Sequence, residues 1–284
     1  MRICKIIFTI IFITSFFSCT KENVIETEDN SNDYTLVWSD EFEIDGQPNP
    51  RNWGYEYGFK RNQELQYYRS TNSWCVNGLL VIEAKRDSFP NPIYKPGSSK
   101  WQEQRKFAEY TSASLHTQNR HSWMFGRIEM RAKIDIGAGL WPAFWSQGIS
   151  GGWPYNGEID IMEYYQEKIL ANFAWGATQQ GKAIWDSYRK PVSELGGADW
   201  AAEFHVWRME WDSLQISIYL DDVLLNNVNL SETFNKDAEG KNPFLQKHYI
   251  IINLAIGGNA GGDPTPTVFP VKYQIDYVRV YQKL

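Results

Sequence analysis

The sequence is poor in cysteine. It contains three cysteines, Cys4, Cys19 and Cys75, and of these only Cys75 lies beyond the first 33 residues. An intramolecular disulfide in the body of the protein is therefore excluded. A body of about 250 residues must then be stabilised by its apolar core, and that length suffices for one large domain.

The sequence also lacks an apolar run long enough to cross a membrane as a helix, which needs about 20 residues. The apolar run over residues 6–13 follows two basic residues and stops shortly before Cys19. This arrangement predicts a cleaved signal peptide over residues 1–18. It resembles a lipoprotein signal, in which Cys19 becomes the acylated N-terminus. A plain secretory signal with an incidental cysteine is the alternative.

The expected organisation is a flexible tether over residues 19–33, followed by one domain over residues 34–284. A lipid on the tether would be the protein's membrane contact, and we expect a monomer at the bacterial outer membrane or cell surface. Basic side chains are scarce: removal of residues 1–18 takes away Arg2 and Lys5 and no acid, which leaves 26 basic against 34 acidic side chains, a net charge of −8. This balance argues against nucleic acid or a strongly sulfated polysaccharide as partner.

Most of the regular patterns in the sequence are typical of β-strands. Residues 127–134 and 214–220 alternate polar and apolar side chains, and residues 249–256 form a mostly apolar run. No long segment shows a helical period, although residues 193–204 allow a short helix or a loop. The pattern predicts an all-β fold, a two-sheet antiparallel β-sandwich of jelly-roll type.

Three carboxylates, Glu158, Asp160 and Glu163, lie within six residues of an otherwise apolar strand pattern. In a regular strand Glu158 and Asp160 share one face and Glu163 points to the other. A β-bulge, which we place at Met162, would return Glu163 to the shared face. The two glutamates could then approach to about 5–5.5 Å, the separation in a retaining glycosidase. An exposed acidic edge or a calcium site is the alternative reading of these acids.

Tryptophans flank the acids on the N-terminal side. Trp141 and Trp145 would share one strand face, and Trp153 leads into the acidic segment. Flat apolar rings beside paired carboxylates are typical of platforms for sugar rings. A pair of buried core side chains is the alternative for Trp141 and Trp145.

At this point the sequence resembles glycoside hydrolase family 16, in its laminarinase-like branch. Within the acidic segment, the extra residue between Ile161 and Glu163 matches the bulged form of the family signature. The other matching stretches are residues 38–42, 62–68, 110–113, 125–129, 141–145, 253–258 and 276–281.

The resemblance implies a jelly roll with a concave substrate cleft, Glu158 as nucleophile, Asp160 as assisting carboxylate and Glu163 as acid/base. It implies Asn62, Trp141, Trp145 and Trp153 as cleft contacts. It implies no cofactor for catalysis. It also implies a structural calcium ion, bound by the three residues Glu41, Gly78 and Asp276.

One position departs from the pattern, because many laminarinase-like members have a histidine where this chain has Ala174. Loss of an imidazole would leave room for a differently linked glucose. We therefore expect an endo-acting retaining hydrolase of mixed-linkage β-1,3/1,4-glucan that also cuts laminarin. A strict laminarinase, a non-catalytic surface glycan-binding lipoprotein and a wall-remodelling transglycosylase are the alternatives.

Overall fold

The computed structural model describes residues 34–283, so the signal peptide, the tether and Cys19 lie outside the described residues. Within the described range the chain forms seventeen β-strands. They are β1 (Thr35–Asp40), β2 (Gly54–Tyr55), β3 (Gln66–Tyr68), β4 (Ser73–Val76), β5 (Leu79–Pro90), β6 (Phe107–Ser112), β7 (Ser114–His116), β8 (Gly126–Lys133), β9 (Leu140–Gly148), β10 (Glu158–Tyr165), β11 (Lys168–Gly176), β12 (Ala183–Pro191), β13 (His205–Trp211), β14 (Gln215–Leu220), β15 (Val223–Asn229), β16 (His248–Ile256) and β17 (Val271–Gln282).

The strands form two sheets. The ten-stranded sheet has the order β15-β14-β13-β8-β17-β5-β6-β3, with β1 paired to β17 and β4 paired to β5. The seven-stranded sheet has the order β12-β11-β10-β9-β16-β7-β2. Within residues 34–283 every strand pair is antiparallel except β3 with β6. The predicted all-β, two-sheet antiparallel sandwich is confirmed, and the predicted strands over residues 127–134, 214–220 and 249–256 correspond to β8, β14 and β16.

The main apolar core lies between the two sheets. In β8 the side chains of Ile128, Met130 and Ala132 are buried in this core, and the residues between them are only partly covered. This alternation is the expected result of packing one face of a strand and leaving the other to solvent. Strand β16 differs because it is buried along its whole length. Its outer face contributes Tyr249 and Ile251 to a second, smaller apolar cluster.

Helical structure is short. Three α-helices of four residues each occur in the described part of the chain, together with three 3-10 helices, which fits the predicted short helix or loop around residues 193–204. They are α1 (Trp101–Gln104), α2 (Ala198–Ala201) and α3 (Gly258–Gly261), with 3-10 turns at Ser70–Asn72, Val192–Glu194 and Leu230–Glu232. Among residues 34–283, no helix has the length and apolar character needed to span a membrane.

Candidate active site

Strand β10 contains the predicted bulge. Its partner β9 pairs Asp160 with Trp145 and then Met162 with Phe144, so Ile161 is the extra residue on that side. Against β11 the register also shifts between Asp160 and Glu163. The irregularity thus spans Ile161 and Met162, and it begins one residue earlier than we placed it.

The bulge explains why all three acids face the same way. Ile161 and Met162 are consecutive, yet both side chains are fully buried in the core between the sheets. Placing two successive side chains on one side of the strand re-phases the next residue. Glu163 therefore lines the outer face of the seven-stranded sheet together with Glu158 and Asp160.

A cleft of about 630 Å³ lies over these acids. All seven residues predicted for catalysis or substrate contact line it, and so do residues that were not predicted. The lining residues are Arg61, Asn62, Glu64, Trp141, Ala143, Trp145, Gln147, Trp153, Glu158, Asp160, Glu163, Tyr165, Asn172, Trp185, Ser187, Arg189, Asn253 and Ala260.

Glu158 has donors that support an ionised carboxylate. The Gln147 side chain donates to Glu158 Oε2 at 2.9 Å, and Trp153 also forms a side-chain hydrogen bond with this carboxyl. Burial raises the pKa of Glu158, whereas these two hydrogen bonds and the positive charge of Arg61 oppose the rise. Donors that stabilise the charged form of a buried carboxylate suit a nucleophile.

Glu163 lies in a setting that favours its protonated form near neutral pH. The indole of Trp141 donates to Glu163 Oε1 at 2.8 Å, and the amide of Asn172 donates to Oε2 at 3.0 Å. Burial and then the charge of Glu158 raise the pKa of Glu163 to about 7, although both hydrogen bonds lower it. A carboxylic acid with this pKa can donate a proton at neutral pH and accept one back.

Asp160 lies between the two glutamates on the strand. Burial, followed by the charges of Glu163 and Glu158, raises the pKa of Asp160 well above its usual value. Its carboxyl accepts a hydrogen bond from Asn172 at 3.2 Å and is hydrogen-bonded to Glu163. A protonated Asp160 would relieve the repulsion among three neighbouring acids.

The tryptophans are arranged along the cleft in different ways. Trp141 packs edge-on against Tyr165, with ring centroids 5.2 Å apart. The indole of Trp145 donates to Asn253 Oδ1 at 2.7 Å, and the guanidinium of Arg61 lies 5.0 Å from its ring centroid. Trp153 is 46% exposed and leaves a ring surface open to a ligand.

Several cleft residues were missed by the sequence reasoning. Asn172 is a buried amide in an apolar strand, and a buried polar side chain among apolar neighbours was the signal that could have revealed it. Trp185 lies on β12 opposite Ala174, which in turn lies opposite Glu158. It is 48% exposed, and its partly exposed strand gave no comparable signal.

Two of the three residues predicted for calcium, Glu41 and Asp276, are paired with arginine side chains in the structure. Glu41 accepts two hydrogen bonds from Arg279, at 3.0 and 2.8 Å. Asp276 forms an ion pair with Arg131. Gly78 has φ +73° and immediately precedes β5, whose Leu80 pairs with the residue before Asp276. Among residues 34–283, no group of three or more His, Cys, Asp or Glu side chains is placed to hold a metal.

Comparison with known proteins agrees with this geometry. The family model described as glycosyl hydrolases family 16 matches residues 68–279. The β-glucanase of Rhodothermus marinus is 34% identical over 281 residues, which cover 90% of this chain and 88% of that protein.

Solved structures give the same result. A structure from a study of endo-acting O-glycanases that initiate mucin breakdown in the human gut microbiota has a TM-score of 0.80 at 33% identity. It covers 89% of this chain and 92% of that chain. SCLam, a non-specific endo-β-1,3(4)-glucanase, has a TM-score of 0.71 at 32% identity and covers 89% of this chain and 92% of its own. The chain therefore belongs to glycosyl hydrolase family 16.

Proposed function

We propose that this protein is an endo-acting β-glucan hydrolase that retains anomeric configuration. The observation that carries the proposal is the bulged strand β10, which brings Glu158, Asp160 and Glu163 to one cleft in different hydrogen-bonding environments. A double displacement requires two carboxyl groups on one face of a cleft, one to attack as the carboxylate and one to donate a proton.

The first step follows from the environments of the two glutamates. Glu158 attacks the anomeric carbon, and the bond to the leaving sugar breaks as Glu163 protonates the glycosidic oxygen. Trp141 and Asn172 hold the carboxyl of Glu163 in position through their hydrogen bonds. As the proton leaves Glu163, the same two donors stabilise the negative charge that forms.

The second step uses the same groups in reverse. Glu163 is now ionised and takes a proton from water, which attacks the anomeric carbon and releases the sugar from Glu158. The two inversions at one carbon give net retention. Asp160, placed between the glutamates, forms a hydrogen bond that lowers the pKa of Glu163.

The preferred substrate in this proposal is mixed-linkage β-1,3/1,4-glucan, with laminarin also cut. Ala174 lies next to Glu158 across the β10–β11 pair, and its methyl group offers no hydrogen bond to a particular sugar hydroxyl. A site without such a bond discriminates less between linkages. The similarity to a non-specific endo-β-1,3(4)-glucanase supports this reading. All three acids line the cleft, which favours an enzyme over a non-catalytic binding protein.

A second candidate substrate is a mucin O-glycan. The structure from the O-glycanase study has a higher TM-score against this chain than the SCLam structure has. The deciding experiment is a panel of laminarin, mixed-linkage glucan, gastric mucin, agarose and carrageenan, with products sized by mass spectrometry. Fragments several sugars long from mixed-linkage glucan support the proposal. Products from mucin alone would replace it with the second candidate, and longer products than the starting chain would reveal transglycosylation.

Location, oligomeric state and calcium remain predictions of the sequence. A lipid on Cys19 predicts that the protein partitions with membranes and that Cys19→Ala releases it as a soluble monomer. Retention of Cys19→Ala in the membrane fraction would contradict the lipid anchor.

A calcium ion bound by Glu41, Gly78 and Asp276 would compete with Arg279 and Arg131 for the two carboxylates. A chelator should lower the melting temperature of the purified protein if the ion is present. The double variant Glu41→Gln/Asp276→Asn should not respond to the chelator. An unchanged melting temperature, with no metal in elemental analysis, would contradict the calcium site. Glu41 and Asp276 would then be paired with Arg279 and Arg131 alone.

A further inference from the structure

Glu64 is a buried acid at the edge of the cleft for which the mechanism above has no use. It is 2% exposed, and it lies between Asn62 and strand β3. Backbone hydrogen bonds hold this segment on both sides of Glu64: Asn259 N–H donates to Asn62 O at 2.8 Å, and Leu65 N–H donates to Ile256 O at 2.8 Å. The backbone around Glu64 is therefore fixed against β16 and the loop that follows it.

The carboxylate of Glu64 accepts hydrogen bonds from three side chains. The Gln66 amide donates to Oε2 at 2.7 Å, the Tyr68 hydroxyl donates to Oε2 at 3.4 Å, and the Asn62 amide donates to Oε1 at 3.4 Å. All three groups act as donors here. An ionised carboxylate can satisfy all of them, because in that state it only accepts hydrogen bonds.

Two of these donors lead to the substrate cleft. Asn62 lines the cleft itself. The other branch is a chain with one direction: the indole of Trp145 donates to Asn253 Oδ1 at 2.7 Å, and the Asn253 amide donates to the Tyr68 hydroxyl at 3.1 Å. Tyr68 then donates to Glu64. The last acceptor in both branches is the same carboxylate.

We propose that Glu64 is a positioning residue whose carboxylate ends two hydrogen-bond chains and thereby orients Asn62 and Trp145 toward the bound sugar. That the ligand is a sugar rests on the proposed function. The effect should fall on substrate binding more than on bond cleavage, because the hydrogen bonds of Glu158 and Glu163 come from other side chains, Gln147, Trp141 and Asn172. Loss of the hydrogen bonds to the charged Glu64 carboxylate should raise KM about tenfold or more, and kcat should fall by a smaller factor.

The arrangement also predicts how the two hydrogen-bond chains respond to pH. Burial raises the pKa of Glu64 to about 7, while Arg61 opposes the rise and Glu56 adds to it. Tyr68 faces the carboxylate with a pKa well above its usual value, and the Arg105 guanidinium donates to the Glu64 backbone carbonyl at 2.7 Å. Below about pH 7 a protonated Glu64 becomes a donor and leaves one of its three partners unsatisfied. The side chains of Asn62 and Trp145 should therefore be held less firmly in their orientation below about pH 7.

The test observes Trp145 directly and needs no substrate. In protein labelled with ¹⁵N at tryptophan, the Trp145 indole N–H signal is assigned through Trp145→Phe and followed from pH 5 to pH 9. The titrations are recorded in the Glu163→Gln background, because the pKa of Glu163 is also about 7. We expect a component with a midpoint near pH 7 that disappears in Glu64→Gln and in Tyr68→Phe. Glu83→Gln, which alters a buried glutamate on β5 that has no part in the two hydrogen-bond chains, should retain it.

Kinetics supply the second readout, on whichever glycan the wild type cuts. Glu64→Gln should raise KM about tenfold, and Tyr68→Phe should raise it less because it leaves the Asn62 branch intact. The proposal is overturned if the indole component persists in both variants or if neither changes KM. If Glu64→Gln does not fold, Tyr68→Phe alone decides. Failure to cut any β-glucan would overturn the proposed function and leave the indole measurement in force.

Discussion

The hydrogen bond from Trp141 to Glu163 offers a quantitative test of the acid/base assignment. The perturbation is Trp141→Phe, which removes the indole N–H that donates to Glu163 Oε1 at 2.8 Å. This hydrogen bond lowers the pKa of Glu163, because it stabilises the ionised carboxylate. Its loss should therefore raise that pKa above its value of about 7.

The size of the shift follows from the strength of the bond. A hydrogen bond to a charged group contributes about 1.5–3 kcal/mol, and one pKa unit corresponds to about 1.4 kcal/mol. We take the lower end, because Asn172 still donates to the other oxygen of Glu163. The pKa should then rise by roughly one unit, from about 7 to roughly 8.

The assay is the pH dependence of kcat/KM, whose alkaline limb reports the essential acid of the free enzyme. Glu163 must be protonated in the first step, so activity should fall tenfold per pH unit above its pKa. Trp141→Phe should move that limb to higher pH, even if the lost contact with Tyr165 lowers the activity overall. Trp145→Phe is the matched control, since its indole donates to Asn253 and the limb should stay in place. An unmoved limb in Trp141→Phe, or a limb moved to lower pH, would refute the assignment.

Two further predictions concern substrate choice on the β11–β12 side of the cleft. Ala174→His should shift the ratio of kcat/KM values toward laminarin, because an imidazole beside Glu158 can bond a specific hydroxyl; a wild type that already cuts laminarin at least a hundredfold better than mixed-linkage glucan would contradict this. Trp185→Ala should raise KM for the polymer about threefold to tenfold, as expected for loss of one ring platform, and Trp185→Phe should recover most of it. Equal KM values in wild type and Trp185→Ala would remove this ring from the site.

The sequence was sufficient to predict the acids and their shared face. Apolar residues at Ile159 and Ile161 indicated a strand, and the spacing of Glu158 and Glu163 required an extra residue to bring both to one side. The exact place of the bulge was not predictable, because pairing with β9 and β11 decides which residue loses its partner. Whether Ile161 or Met162 is extra depends on neighbours distant in sequence.

Side-chain pairing between strands that are distant in sequence could not be predicted from the sequence either. Glu41 and Asp276 were assigned to calcium by resemblance, yet each carboxylate is paired with an arginine. Arg131 reaches Asp276 because β8 and β17 are neighbours in the ten-stranded sheet, and that strand order is a property of the whole fold. Trp185 escaped notice for the same reason, since only the β11–β12 register places it beside Ala174.

The most direct test of the central claim is the anomeric configuration of the first product. Proton NMR recorded during hydrolysis of mixed-linkage glucan, before mutarotation equilibrates the new reducing ends, distinguishes the two anomers. Attack by Glu158 followed by attack of water predicts that the β-anomer appears first. The α-anomer appearing first would mean that water attacks directly. Glu158 would then not be the nucleophile, and the double displacement proposed for this cleft would be wrong.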